Sequence, residues 1–234
     1  IRALEDDFVE RALERWRTVP AMHVLGNEAV DRLSIVSFMV RHGDGYLHHN
    51  FVVALLNDVF GIQSRGGCSC AGPYGHRLLG IDADESHEFQ RVVDQGFDGI
   101  KPGWVRLSFN YFIAESTFQY LVDAVAFIAA EGHRFLPFYD FEPVSGVWRH
   151  RNAPTDRAVT LAEVGYEGGA MTFPRALAAP SVELRDLIEA AQALLDEPPP
   201  PVSEPEPVSA EFDALRWFPY PSEAVLVFPA TGGR

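Results

Sequence analysis

Gly61-Ile62-Gln63-Ser64-Arg65-Gly66-Gly67-Cys68-Ser69-Cys70-Ala71-Gly72-Pro73-Tyr74-Gly75-His76 is the stretch on which the fold turns. Gly61 stands where an apolar helical pattern stops, the usual place for a C-terminal cap. Residues 61–65 then read as a short strand. Residues 66–76 read as a loop, because glycine at this density marks backbone that turns tightly or approaches something closely.

Working outward, residues 48–60 predict a helix with Phe51, Val52, Leu55, Leu56, Val59 and Phe60 on one side. Before it, residues 33–40 are β-rich and partly alternating, a strand broken by His42-Gly43-Asp44-Gly45. Leu25-Gly26-Asn27 is a turn signal, and Leu4, Phe8, Ala12, Leu13 and Trp16 form the buried stripe of an opening helix that stops near Pro20. After the loop come a short helix at 85–95, a turn at Lys101-Pro102-Gly103 and an alternating strand from Trp104 to Phe109. A helix marked by Phe118, Leu121, Val122, Val125 and Ile128 closes near Gly132.

Residues 133–180 are less regular, and residues 182–195 predict a further helix. The Pro/Glu-rich segment 197–208 cannot build a core and reads as an extended linker. The aromatic tail from Phe212 to Pro229 is expected to dock back on the body, an edge strand being one way to do so. The order of elements fits an α/β layer with mixed or antiparallel pairing. There are no internal repeats, no G-x-G-x-x-G and no P-loop.

Composition narrows the function classes. The chain has 234 residues, 47% hydrophobic and 22% charged, enough for a sizeable core. Its formal net charge of −14 disfavours nucleic acid and anionic membrane surfaces as partners. No apolar run is long enough to suggest a membrane span, and no signal peptide opens the chain. Cys68 and Cys70, the only cysteines, do not make a disulfide framework, so a reducing, cytoplasmic setting is expected. The start at Ile1, directly in a helical pattern, suggests a piece of a longer protein.

Few residues are candidates for chemistry. A thiol in the Arg65–His76 loop could be held as thiolate by Arg65, His76 and Arg77; the alternative is a glycine-rich turn with two inert cysteines. Cys68, Cys70 and His76, with His48 or His49, could ligate a metal, although C-x-C spacing is weak for a structural zinc site. His48 and His49 open a helix whose N-terminus attracts anions and could border a site; otherwise they read as a solvated helix start. Arg106 alternates with Trp104 and Ser108, so all three share one sheet face, where a guanidinium suits a substrate carboxylate; the alternatives are a surface arginine or an internal ion pair. Lys101 is the only lysine, and it sits in a turn that offers nothing to desolvate it.

Three segments together carry a family resemblance: Ser34-Ile35-Val36-Ser37-Phe38, the Gly61–Pro73 stretch with its Arg-x-Gly-x-x-Cys-Ala-x-Pro order, and Val105-Arg106-Leu107-Ser108-Phe109-Asn110-Tyr111. They resemble the small C-terminal domain of class V aminotransferases, the superfamily of fold type I pyridoxal phosphate (PLP) enzymes that includes the cysteine desulfurases. The resemblance covers roughly residues 1–150. It implies an α/β small domain with a mixed or antiparallel sheet packed on helices. Residues 151–196 would then be an irregular and helical extension, 197–208 the linker, and 209–234 a tail packing back on the body.

The resemblance also implies an amino acid or related amine as substrate, a homodimer when full-length, and PLP bound mainly by a large domain that would precede Ile1. Arg106 falls where the family holds the α-carboxylate, and Arg65 falls near the substrate. Cys70 falls where desulfurases keep their nucleophile, although Cys68 and Ser69 stand where those enzymes have two histidines. Sulfur transfer through Cys70 is therefore one alternative, and it requires that Cys70→Ala abolish transfer. A non-enzymatic domain that binds a partner through its acidic Pro-rich tail is another.

Overall fold

The computed structural model describes residues 1–67, 72–153, 161–173, 183–203 and 207–225. The chain opens with helix α1 (Arg2–Arg17), whose Phe8, Val9, Ala12, Leu13 and Trp16 are buried. Leu4, expected in the same stripe, is exposed. Trp16 is fully buried and donates its indole N–H to the Val122 carbonyl at 3.0 Å, so the helix is fixed by a satisfied polar atom as well as by packing.

Strands β1 (Met22–Val24), β2 (Ile35–His42) and β3 (Gly45–Tyr46) follow. The expected breaker after β2 is a tight turn: His42 pairs with Gly45 across Gly43 and Asp44, and Gly43 has φ +56°. Helix α2 (His49–Asp58) stops at the expected place, with Gly61 at φ +63°. The Ile62 N–H returns to the Leu56 carbonyl, which ties Ile62 to the helix end. The strand expected at 61–65 therefore starts later, as β4 (Arg65–Gly67).

The glycine-rich loop is shorter than expected. Residues from Gly72 onward form helix α3 (Gly72–Leu79). Pro73 lies in its first turn, where a missing N–H costs nothing and its fixed φ suits a helix. Helix α4 (Ala83–Asp94) starts at an Asp82 cap whose carboxylate accepts from the Glu85 N–H. Strand β5 (Trp104–Ser108) and helix α5 (Glu115–Glu131) lie where the alternation and the 3.6-residue period put them.

Two short hairpins occupy the region read as irregular. β6 (Tyr139–Glu142) pairs with β7 (Val147–His150), and the exposed β8 (Gly165–Glu167) pairs with β9 (Ala170–Thr172) across Gly168-Gly169. Helix α6 (Leu184–Asp196) buries only Ala191 and Leu195. Helix α7 (Ala210–Leu215) and a 3-10 turn (Pro221–Val225) end the described chain.

The main sheet runs β1-β2-β5-β4, with β3 added on β2, and every pair is antiparallel. This resolves the choice between mixed and antiparallel pairing. One face turns Val36, Phe38, Val40, Val105 and Leu107 into the main core with α1, α2 and α5. Alternation sends Met39 and Trp104 to the other face, where they join Leu25 in a second, small apolar cluster.

The tail docks on the body as expected, but not as an edge strand among the described residues. Phe212, Phe218 and Tyr220 are buried and belong to the main core. Ser209 caps α7 through the Phe212 N–H, and Pro219 and Pro221 lack the N–H groups a ladder needs. One backbone bond remains, from the Tyr46 N–H to the Trp217 carbonyl at 3.0 Å. Trp217 also donates its indole N–H to the Ile100 carbonyl.

Candidate functional site: paired arginines on the second sheet face

Strand pairing decides where the expected site residues fall. In the β4–β5 register Arg65 lies directly opposite Arg106, and on the other side of β5 Arg106 lies opposite Ser37. Directly opposed residues share a face. Ser37, Arg106 and Arg65 thus form a row across β2, β5 and β4 on the face that carries Met39 and Trp104. Arg106 is half-buried at the centre of the row, and Arg65 is exposed at its end.

Neither guanidinium reaches a carboxylate or any other acceptor among the described residues. Other arginines do: Arg11 bonds Glu115, Arg17 pairs with Glu28, Arg151 with Asp140, and Arg216 with Glu223. Like charges placed directly opposite each other destabilise a sheet. No acidic side chain among the described residues pairs with either arginine. The arrangement suits an anion from outside the described chain.

Two buried histidines open helix α2, which packs against β4 and β5. They were expected at a solvated helix start, but His48 is 1% exposed and His49 6%. His48 caps α2: its Nδ1 accepts from the Asn50 N–H at 3.1 Å. Nε2 must then carry the proton, and it donates to the Gly99 carbonyl at 3.1 Å. Both ring nitrogens are used, which leaves His48 nothing to offer a metal. Burial, followed by neighbouring His49, pushes its pKa well below the ordinary value, and the Gly99 bond opposes this only in part. Burial lowers that of His49 to about 4.

His49 fills the space left by two glycines. A Cβ on Gly103 would lie 2.9 Å from His49 Cε1 and 2.9 Å from Gly67 Cα, so only glycine lets β5 enter beside β4 here. Gly67 itself has φ +114°, a backbone state that side chains rarely adopt. His49 Nδ1 and Trp104 Nε1 are buried without a hydrogen-bond partner. Trp217 stacks on His49 (5.9 Å, 9°) and on His48 (5.3 Å, 19°), closing this side with the C-terminal segment.

The remaining candidates divide. Cys70 and Cys68 lie outside the described residues. His76 is on α3, half-buried. No group of three His, Cys, Asp or Glu side chains that could hold a metal occurs among the described residues. Lys101 pairs with Asp98 at 2.8 Å and is half exposed. No helix among the described residues is long and apolar enough to cross a membrane.

No protein-family model matches the chain, and no curated protein matches it. The site must therefore be read from its own chemistry. The burial of His49 against Trp217 was not visible beforehand. The aromatic density of Phe212, Trp217, Phe218 and Tyr220 signalled docking of the tail but not its destination.

Proposed function

We propose that the chain is the C-terminal part of a PLP-dependent, class V aminotransferase-like enzyme acting on an amino acid or related amine. In this reading Arg106 holds the substrate carboxylate and Arg65 lies beside it. The observation that carries the proposal is the opposed, uncompensated Arg65–Arg106 pair. A guanidinium grips a carboxylate through two parallel N–H···O bonds, which fixes orientation as well as position. Fixed orientation is what a reaction at the adjacent carbon needs.

The residues present do not fit the cofactor's lysine. A Schiff-base lysine must be able to lose its proton, and burial among apolar groups or beside a cation favours that. Lys101 has the opposite setting, half exposed beside the Asp98 carboxylate. The lysine would have to come from outside these 234 residues. Cys70 as a sulfur nucleophile remains the rival within the same family.

The test is a titration with acetate at fixed ionic strength, following the Nε–Hε resonances of the arginines by NMR. The expected result is a saturable shift of the Arg106 resonance, with the response abolished in Arg106→Gln. An Arg106 resonance that acetate leaves unmoved would remove the anchor.

A further inference from the structure

The arginine pair says more about the substrate than that it carries a carboxylate. We infer that the site takes a substrate with two acidic groups, one on Arg106 and one on Arg65, such as an acidic amino acid or a dicarboxylate of similar length. The inference rests on the reading of Arg106 as carboxylate anchor and names the substrate class for that site.

A carboxylate has two oxygens, and one guanidinium fork satisfies both in a bidentate pair. Arg106, half-buried at the centre of the sheet, suffices for a single carboxylate. Arg65 is then surplus to a monoanionic substrate, yet it stands directly opposite Arg106 in the ladder. Like charges so opposed are unfavourable, and no carboxylate among the described residues pairs with either. Nor does the fold need an arginine at this position: Arg65 is exposed and packs no core.

The register makes the two side chains neighbours on one face, so each guanidinium fork can take one acidic group of a single ligand. Trp104 is two residues before Arg106 on the same face and carries a buried indole N–H with no partner, a third unused donor in this region. Donors outnumber acceptors along the row, and an anion with several acceptor oxygens corrects the imbalance.

Calorimetric titration with glutarate and with its half-amide, glutaramate, tests this directly. The two have the same length and differ by one charge. At constant ionic strength glutarate is expected to bind at least about 10-fold more tightly, the equivalent of one charge-assisted hydrogen bond. Arg65→Gln should bring glutarate down to the level of the half-amide without changing the half-amide, and Arg106→Gln should weaken both. Equal affinities that still depend on Arg106 would overturn the two-anion inference and leave the anchor in place. Binding indifferent to Arg106→Gln would overturn both.

Discussion

Ending the chain at Val208 is expected to abolish cooperative thermal unfolding of the whole body. The segment removed carries Phe212, Phe218 and Tyr220, which are 0%, 3% and 5% exposed. Deleting one large buried aromatic side chain typically costs about 3–5 kcal/mol, and native domains are stable by only about 5–15 kcal/mol in total. Trp217 adds its bond to the Ile100 carbonyl and its stack on the two histidines. Arg216 and Glu223, paired through both guanidinium nitrogens, lock the segment on itself, with Arg216 lying 4.1 Å over the Tyr220 ring.

Trp217→Ala is the graded version of that truncation. It should lower the midpoint by roughly 10 °C, given a loss near 3 kcal/mol and about 2–4 °C per kcal/mol for a chain of this size. Calorimetry of the two variants checks both. A truncated chain that melts cooperatively at the full-length temperature would show the segment to be an accessory, and would favour a tail free to bind partners.

Acid should weaken the fold before most carboxylates protonate. The pKa of His49 is lowered by burial to about 4 in the folded state, against the ordinary 6.5 of an unfolded chain. The folded state therefore resists a proton that the unfolded state accepts. The stability this represents is whole above pH 6.5 and is lost as the pH falls toward 4, and the gap between the two values corresponds to about 3 kcal/mol. His48, fully buried and lowered well below its ordinary value, acts in the same direction. The melting temperature should accordingly drop by roughly 10 °C between pH 7 and pH 4.5. His49→Gln, which cannot titrate, should flatten that slope in part. A wild-type profile flat over this interval would contradict the buried, neutral state of the pair.

Much of the architecture was legible because its signals are local. The stripe through Phe8, Leu13 and Trp16 and the alternation from Trp104 to Ser108 come from single elements whose period is set by their own backbone. The face of Arg106 was legible for the same reason, since alternation alone places it with Trp104. The pairing that puts Arg65 opposite it depends on a register between segments some forty residues apart, which no local pattern encodes. Trp217, contributed from the far end of the chain, stacks on both His48 and His49. A His-His pair at a helix start is ambiguous until the covering segment is known. Helix α3 was hidden by glycines that ordinarily break helices, and Gly75 is instead a buried position on it.

Borohydride reduction tests most directly whether a PLP-bearing lysine accompanies this chain. The protein expressed from its own reading frame would be incubated with PLP, reduced, digested and mapped by mass spectrometry. Reduction fixes a lysine-linked pyridoxyl group in place, and Lys101 is the only lysine in residues 1–234, so the site can be read without ambiguity. The expected result is a stoichiometric pyridoxyl group on a lysine outside these residues and none on Lys101. Stoichiometric modification of Lys101, or no adduct anywhere, would contradict a class V aminotransferase-like enzyme with Arg106 at its substrate carboxylate.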